Sequence, residues 1–132
     1  MYNLCIGFLC INKNSFRNKG GYILDKKLIA LNSSLLILQL ISEKEQYGYQ
    51  LIKELETRSN HTFSLKEGTL YPILHSLETQ GAIESFQMQA DTGKIRKYYR
   101  ITKQGKKLFE EKKVEWELYQ NAVNSVLREV RE

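Results

Sequence analysis

The sequence predicts an α+β fold that is mainly α, and three observations carry that prediction. Four stretches place apolar residues at helical spacing, two short β-prone runs flank a turn, and the C-terminal stretch repeats its apolar side chains on a heptad. At 132 residues the chain is one domain with room for an appended element. Hydrophobic residues at 42% suffice for a single core, and 27% charged residues is ordinary for a soluble protein.

Residues 1–27 read as an N-terminal extension with no assigned function. The apolar run Leu4–Ile11 is far too short to span a bilayer, and its basic residues follow it, whereas a secretory signal needs them in front. An interfacial anchor and a stretch translated from an early start codon are the other readings. Cys5 and Cys10 both lie here. Two thiols make neither a four-ligand metal site nor a disulfide framework, and a cysteine-free remainder suits the reducing cytoplasm.

From Leu28 to Ile41 the chain is almost continuously apolar, with leucine at 31, 35, 36, 38 and 40, which predicts a helix buried over much of its circumference. Ser42–Gln46 is a polar break. Tyr47-Gly48-Tyr49 opens a short amphipathic helix with the stripe Leu51, Ile52, Leu55. Ser64-Leu65-Lys66-Glu67 fits a capping box for a third helix carrying Leu70, Ile73, Leu74 and Leu77 on one face, closed by Gly81 as a left-handed C-cap. Pro72 requires either a helix start near Thr69 or a kink.

Ala82–Met88 and Ile95–Ile101 then flank Asp91-Thr92-Gly93, which predicts a hairpin. Alternation sets Tyr99 and Ile101 on one face of the second strand and Arg96, Tyr98 and Arg100 on the other. Thr102 can cap a last helix running nearly to Glu132. Its apolar positions Phe109, Trp116, Tyr119, Val123, Val126 and Val130 follow the 7, 3, 4, 3, 4 spacing of a heptad. A helix of about 28 residues is about 42 Å long, more than the preceding domain can cover, so these six residues read as the interface of a homodimer.

The order helix, helix, helix, hairpin, long helix is that of a winged helix-turn-helix with a long C-terminal dimerisation helix. It divides into an extension (1–27), a winged-helix DNA-binding domain (28–102) and a dimerisation helix (103–132). Such a third helix fits the major groove of double-stranded DNA, and a basic hairpin reaches the adjacent backbone or minor groove. The residues placed toward DNA are Ser64, Lys66, Thr69, Tyr71 and His75 on the third helix and its approach, and Lys94, Arg96 and Lys97 on the wing. For Thr69 capping or packing is an equal reading, and for Tyr71 a place in the core.

Net charge supports this only locally. The chain carries 20 Lys+Arg against 15 Asp+Glu, but residues 1–27 alone supply +4 of the +5. Seven basic residues and no acid lie between Thr92 and Phe109, which points to a surface facing a polyanion. The near-neutral remainder keeps a second reading open, a non-catalytic winged-helix module that binds protein rather than DNA. No phosphate-binding glycine loop, HExxH or Cys/His ligand set is present, and His61 and His75 have no catalytic partner in sequence, so neither enzyme activity nor a metal or cofactor is expected.

Three blocks carry a family resemblance. Gly68-Thr69-Leu70-Tyr71-Pro72-Ile73-Leu74 with Leu77-Glu78, Gly81 and Ile83-Glu84-Ser85 resembles the hallmark of the PadR-like transcriptional regulators. Tyr47-Gly48-Tyr49-Gln50-Leu51-Ile52 resembles that family's second helix, and Arg96–Gly105 its wing strand and last helix start. The resemblance runs from about Leu31 to Gly105, and the short remainder is similar to the subgroup with one C-terminal dimerisation helix. It implies a repressor of efflux, detoxification or stress genes that binds a palindromic operator as a dimer. It also implies that Trp116, with Tyr119, faces the dimer mate and lines a pocket for a small hydrophobic or aromatic effector. The N-terminal extension departs from the family pattern.

Overall fold

A computed structural model describes residues 24–128; most of the N-terminal extension, both cysteines and Val130 lie outside them. The elements are α1 (Lys26–Glu43), β1 (Gln46–Tyr47), α2 (Gly48–Arg58), α3 (Glu67–Thr79), β2 (Ile83–Gln89), β3 (Ile95–Ile101) and α4 (Lys103–Leu127). The predicted α+β, mainly α winged helix-turn-helix with a long last helix is what the chain forms.

Helix α1 begins where the Asp25 carboxylate accepts from the Lys27 N–H at 2.7 Å, a side-chain N-cap. Its C-terminal half carries Ile37, Leu38, Leu40 and Ile41, all buried. The expectation of burial around much of α1 fails in its first turns. There Leu28 is exposed and Leu31 is 78% exposed, while Ile29 between them packs against the core, so only one face of these turns is covered. The C-terminal ends of α1 and α2 are tied by Arg58, which donates to both Glu43 carboxylate oxygens at 2.7 and 3.2 Å. That contact, then Gln39, holds the Glu43 carboxyl below its ordinary range, though so exposed a pair adds little stability.

Helix α3 lacks the predicted capping box. Its N-cap is Lys66, without a side-chain cap bond, and Ser64 instead donates to the Glu56 carboxylate at 3.4 Å. The Lys66 carbonyl accepts from Thr69 and Leu70, both at 2.9 Å, and so opens the helix. Since α3 starts at Glu67, Pro72 falls in its second turn and removes the bond that would reach the Gly68 carbonyl. The C-terminus matches expectation. Gly81 takes φ 78°, its N–H donates to Glu78 and that of Ala82 to Leu77, which is a Schellman motif.

The two hairpin strands pair antiparallel from Ile83↔Ile101 to Gln89↔Ile95 around the three-residue loop Asp91–Gly93. Gly93 at φ 93° supplies the left-handed residue that such a loop needs. A third strand was not anticipated. β1 joins the outer edge of β3 through Gln46↔Tyr99 and Tyr47↔Tyr98, giving the order β1-β3-β2. Gln46 is fully buried and its amide donates to the Leu40 carbonyl at 3.0 Å, which anchors the turn between α1 and α2.

One core joins Ile37, Leu38 and Ile41 of α1, Leu51 of α2, Leu70, Leu74 and Leu77 of α3, Tyr99 of β3 and Phe109 of α4. Phe109 therefore needs correction as a dimer-interface residue: it is buried within its own chain. The first two turns of α4 complete the winged-helix core, so the core runs past the expected boundary at residue 102. From Trp116 onward the helix leaves that core, with Trp116 36%, Tyr119 62% and Val126 84% exposed. The 25 residues of α4 span about 38 Å. No helix among the described residues is long and apolar enough to cross a membrane.

Candidate nucleic-acid interface

The approach to α3 is set by a sharp reversal after α2. Asn60 and His61 adopt left-handed backbone angles (φ 55° and 64°), the Ser59 hydroxyl accepts from the Phe63 N–H at 2.9 Å, and buried Leu65 anchors the segment. With Leu70, Leu74 and Leu77 facing the core, the opposite face of α3 stands clear. Lys66, Thr69, Tyr71 and His75 are all exposed on it or at its start, as is Ser64 on the approach. Helical spacing gathers Gly68, Pro72 and His75 at the middle of that face, with Thr69 and Tyr71 at its flanks.

Tyr71 is not part of the buried core. Its ring is half exposed, yet the phenol lies so close over Gly48 that a Cβ there would collide with it. It braces the start of α2 against α3 while presenting a ring edge outward. Thr69 makes no capping bond, because Lys66 holds the cap position.

The wing sorts its basic residues onto different surfaces. Lys94 and Lys97 are exposed, and neither they nor Lys66 has a carboxylate within 4.0 Å among the described residues. Lys97 lies on the face of Tyr99, its ammonium 5.8 Å from that ring centroid. Arg96 turns to the other face and is half-buried, its guanidinium 5.3 Å over the Tyr47 ring and its Nε buried without a protein partner. On that outer face Tyr98 packs edge-on against Tyr47 and stacks on Phe86, with ring centroids 5.2 and 5.8 Å away. Burial pushes the Tyr98 and Tyr99 phenols up from their ordinary value, so both stay protonated at neutral pH.

The stretch with seven basic residues is also less bare than it reads in sequence. Arg100 lies 3.1 Å from Glu84 and 3.5 Å from Glu45, carboxylates brought in by the neighbouring strands, and caps the Phe86 ring at 4.2 Å. Arg100 is therefore paired within the chain, unlike Lys94 and Lys97.

Gly68 is the residue that reading the sequence missed as a site candidate. Among the described glycines, Gly81 and Gly93 have left-handed backbones, and Gly48 and Gly105 are pressed by Tyr71 and by the Ala82 carbonyl. Gly68 has neither reason: a Cβ there would meet nothing within 4 Å. Glycine is less favourable than alanine in a helix, and Gly68 sits on the open face of α3, where its carbonyl is also the one that Pro72 leaves without a helical donor. Gly68→Ala is expected to raise thermal stability and lower affinity for specific DNA; raised stability with unchanged affinity would remove Gly68 from the interface.

The profile of the transcriptional regulator PadR-like family matches residues 37–111. That span takes in α2, α3, the wing and the first turns of α4. The chain belongs to the PadR-like family of transcriptional regulators. An uncharacterized protein of Lysinibacillus sphaericus is 43% identical over 81 residues, 61% of this chain and 74% of its own length. A transcriptional regulator of Mycobacterium tuberculosis is 40% identical over 72 residues, covering 54% of this chain and 64% of that protein, under two thirds of its length. Among solved structures, a transcriptional regulator from Clostridium thermocellum superposes with a TM-score of 0.73 at 32% identity, covering 80% of this chain and all of that one. This PadR-like protein is thus a DNA-binding transcription regulator, in a family of regulators generally without catalytic activity.

Proposed function

We infer that this PadR-like regulator represses transcription by binding a palindromic operator as a homodimer. The two α3 helices enter successive major grooves, and the wings rest on flanking backbone. The observation that carries this reading is the exposed face of α3 beginning at Lys66. A lysine at an N-cap opposes the helix dipole and offers the backbone no acceptor. Beside a phosphate, the same lysine and the positive helix end act together. Lys66, Lys94 and Lys97 are the phosphate contacts, His75 lies at the middle of the base-reading face, Thr69 and Tyr71 border it, and Ser64 is an outer contact on its approach. Arg96, held over Tyr47, supports the wing and reaches DNA only from its half-exposed edge.

The dimer forms along Trp116, Tyr119, Val123, Val126 and Val130. Trp116 and Tyr119 sit one helical turn apart with ring centroids 6.2 Å apart and tilted by 34°, a pair suited to holding a planar hydrophobic effector beside the seam. Such a ligand releases DNA if it favours a seam geometry in which the two α3 helices no longer match the groove spacing. Efflux, detoxification or stress genes are the targets this mode of release suits.

Three phosphate contacts per protomer make six in the dimer, so the logarithm of affinity should fall with the logarithm of salt at a slope of about −5. Lys66→Ala, which removes two of them, should flatten that slope by about 2. Fluorescence anisotropy on the DNA upstream of the gene, at several salt concentrations, measures both. Binding that ignores salt would instead favour the protein-interaction module.

A further inference from the structure

The C-terminal end of α3 and the N-terminal end of α4 are joined more tightly than a strand hairpin between them requires. One hydroxyl serves both helix ends. Thr102 Oγ1 accepts from the Gly105 N–H at 2.9 Å and so caps α4, and it donates to the Gly81 carbonyl at 2.6 Å, with the Ala82 carbonyl at 3.1 Å. The Thr102 N–H also donates to the Ala82 carbonyl at 3.0 Å. Two residues on, the Gln104 amide donates to the Gln80 carbonyl at 2.8 Å. Gln80 is the C-cap of α3 and Gly81 the residue after it, so these are carbonyls that the end of a helix leaves without intrahelical donors. Gly105 closes the joint, because a Cβ there would collide with the Ala82 carbonyl oxygen.

We propose that Thr102, Gln104 and Gly105 are positioning residues that lock α3 to the first turn of α4, so that the DNA-reading helix and the root of the dimer helix move as one body. The inference rests on α3 being the reading helix. Its consequence concerns regulation. With the joint closed, a change at Trp116, about 16 Å along α4 from Gly105, reaches α3 only as a rigid rotation of the whole winged helix or as a bend in α4 beyond Phe109. The loop joint itself contributes no hinge.

The test uses the full chain with Cys5→Ser and Cys10→Ser, spin labels on His75→Cys and Glu115→Cys, and dilution with unlabelled chain so that distances within one protomer are read. A narrow distance distribution is expected for this background and for Thr102→Ser, which keeps the hydroxyl. Thr102→Val and Gln104→Ala should broaden it. In label-free chains the same two variants should lose affinity for the upstream DNA on the order of tenfold, as removal of one or two hydrogen bonds allows. Their dimer mass and their affinity for unrelated DNA should be unchanged, which a general loss of folding would not permit. If Thr102→Val proves unfolded by circular dichroism, Gln104→Ala, altered only at an exposed side chain, decides alone. An unchanged distance distribution in the folded variants overturns the joint. A parent chain with no specific complex, but with the distances behaving as expected, overturns the DNA reading and leaves the joint standing.

Discussion

Replacing Tyr119 and Val126 together by aspartate is expected to turn the protein into a monomer and to weaken operator binding by about a hundredfold or more. Both side chains are exposed in the single chain, so the carboxylates meet water there and the fold loses only helix propensity, less than about 1 kcal/mol per site. In the dimer the same carboxylates would face an apolar seam, where an unpaired charge costs several kcal/mol. Binding falls because two linked half-sites act at an effective concentration that a free monomer does not reach. Sedimentation equilibrium reads the mass, circular dichroism the fold, and anisotropy on full and half operators the affinity. A folded variant that keeps its dimer mass would move the interface elsewhere.

Phe109→Ala should have the opposite signature, a loss of folding stability of about 3–5 kcal/mol. Phe109 is the side chain by which α4 enters the common core of α1, α2, α3 and the sheet, and its removal leaves a cavity that the surrounding elements close only in part. Urea unfolding measured at several protein concentrations separates the two roles. A core residue destabilises the protomer itself, whereas a seam residue would change mainly the concentration dependence of the transition. A shift below about 1 kcal/mol would return Phe109 to the seam.

These two variants sit seven or more residues apart on one heptad, and the heptad could not separate them. Phe109 and Trp116 occupy equivalent positions in sequence, but the body of the domain ends between them. Periodicity reports which face of a helix is apolar, not what covers it. The polar residues show the same limit. Arg100 reads as one of seven free cations until strand pairing brings Glu84 and Glu45 beside it. Ser64 reads as a cap until the helix is seen to start at Glu67. β1 was illegible because two residues carry no alternation, and Gln46–Tyr47 becomes a strand only by taking the open edge of β3.

By itself the sequence determined the local features: the leucine-rich faces of α1 and α3, the Gly81 and Thr102 caps, the Asp91–Gly93 turn and the three blocks that mark the family. Each depends on residues within a turn or two of one another, where stereochemistry and hydrophobic spacing act directly. The tertiary structure alone decided which apolar residues are core and which are left bare, which cations stay unpaired, and that a side chain at Gly68 would meet open space. Those are questions of what lies opposite a side chain, and partners distant in sequence settle them only when the chain has folded.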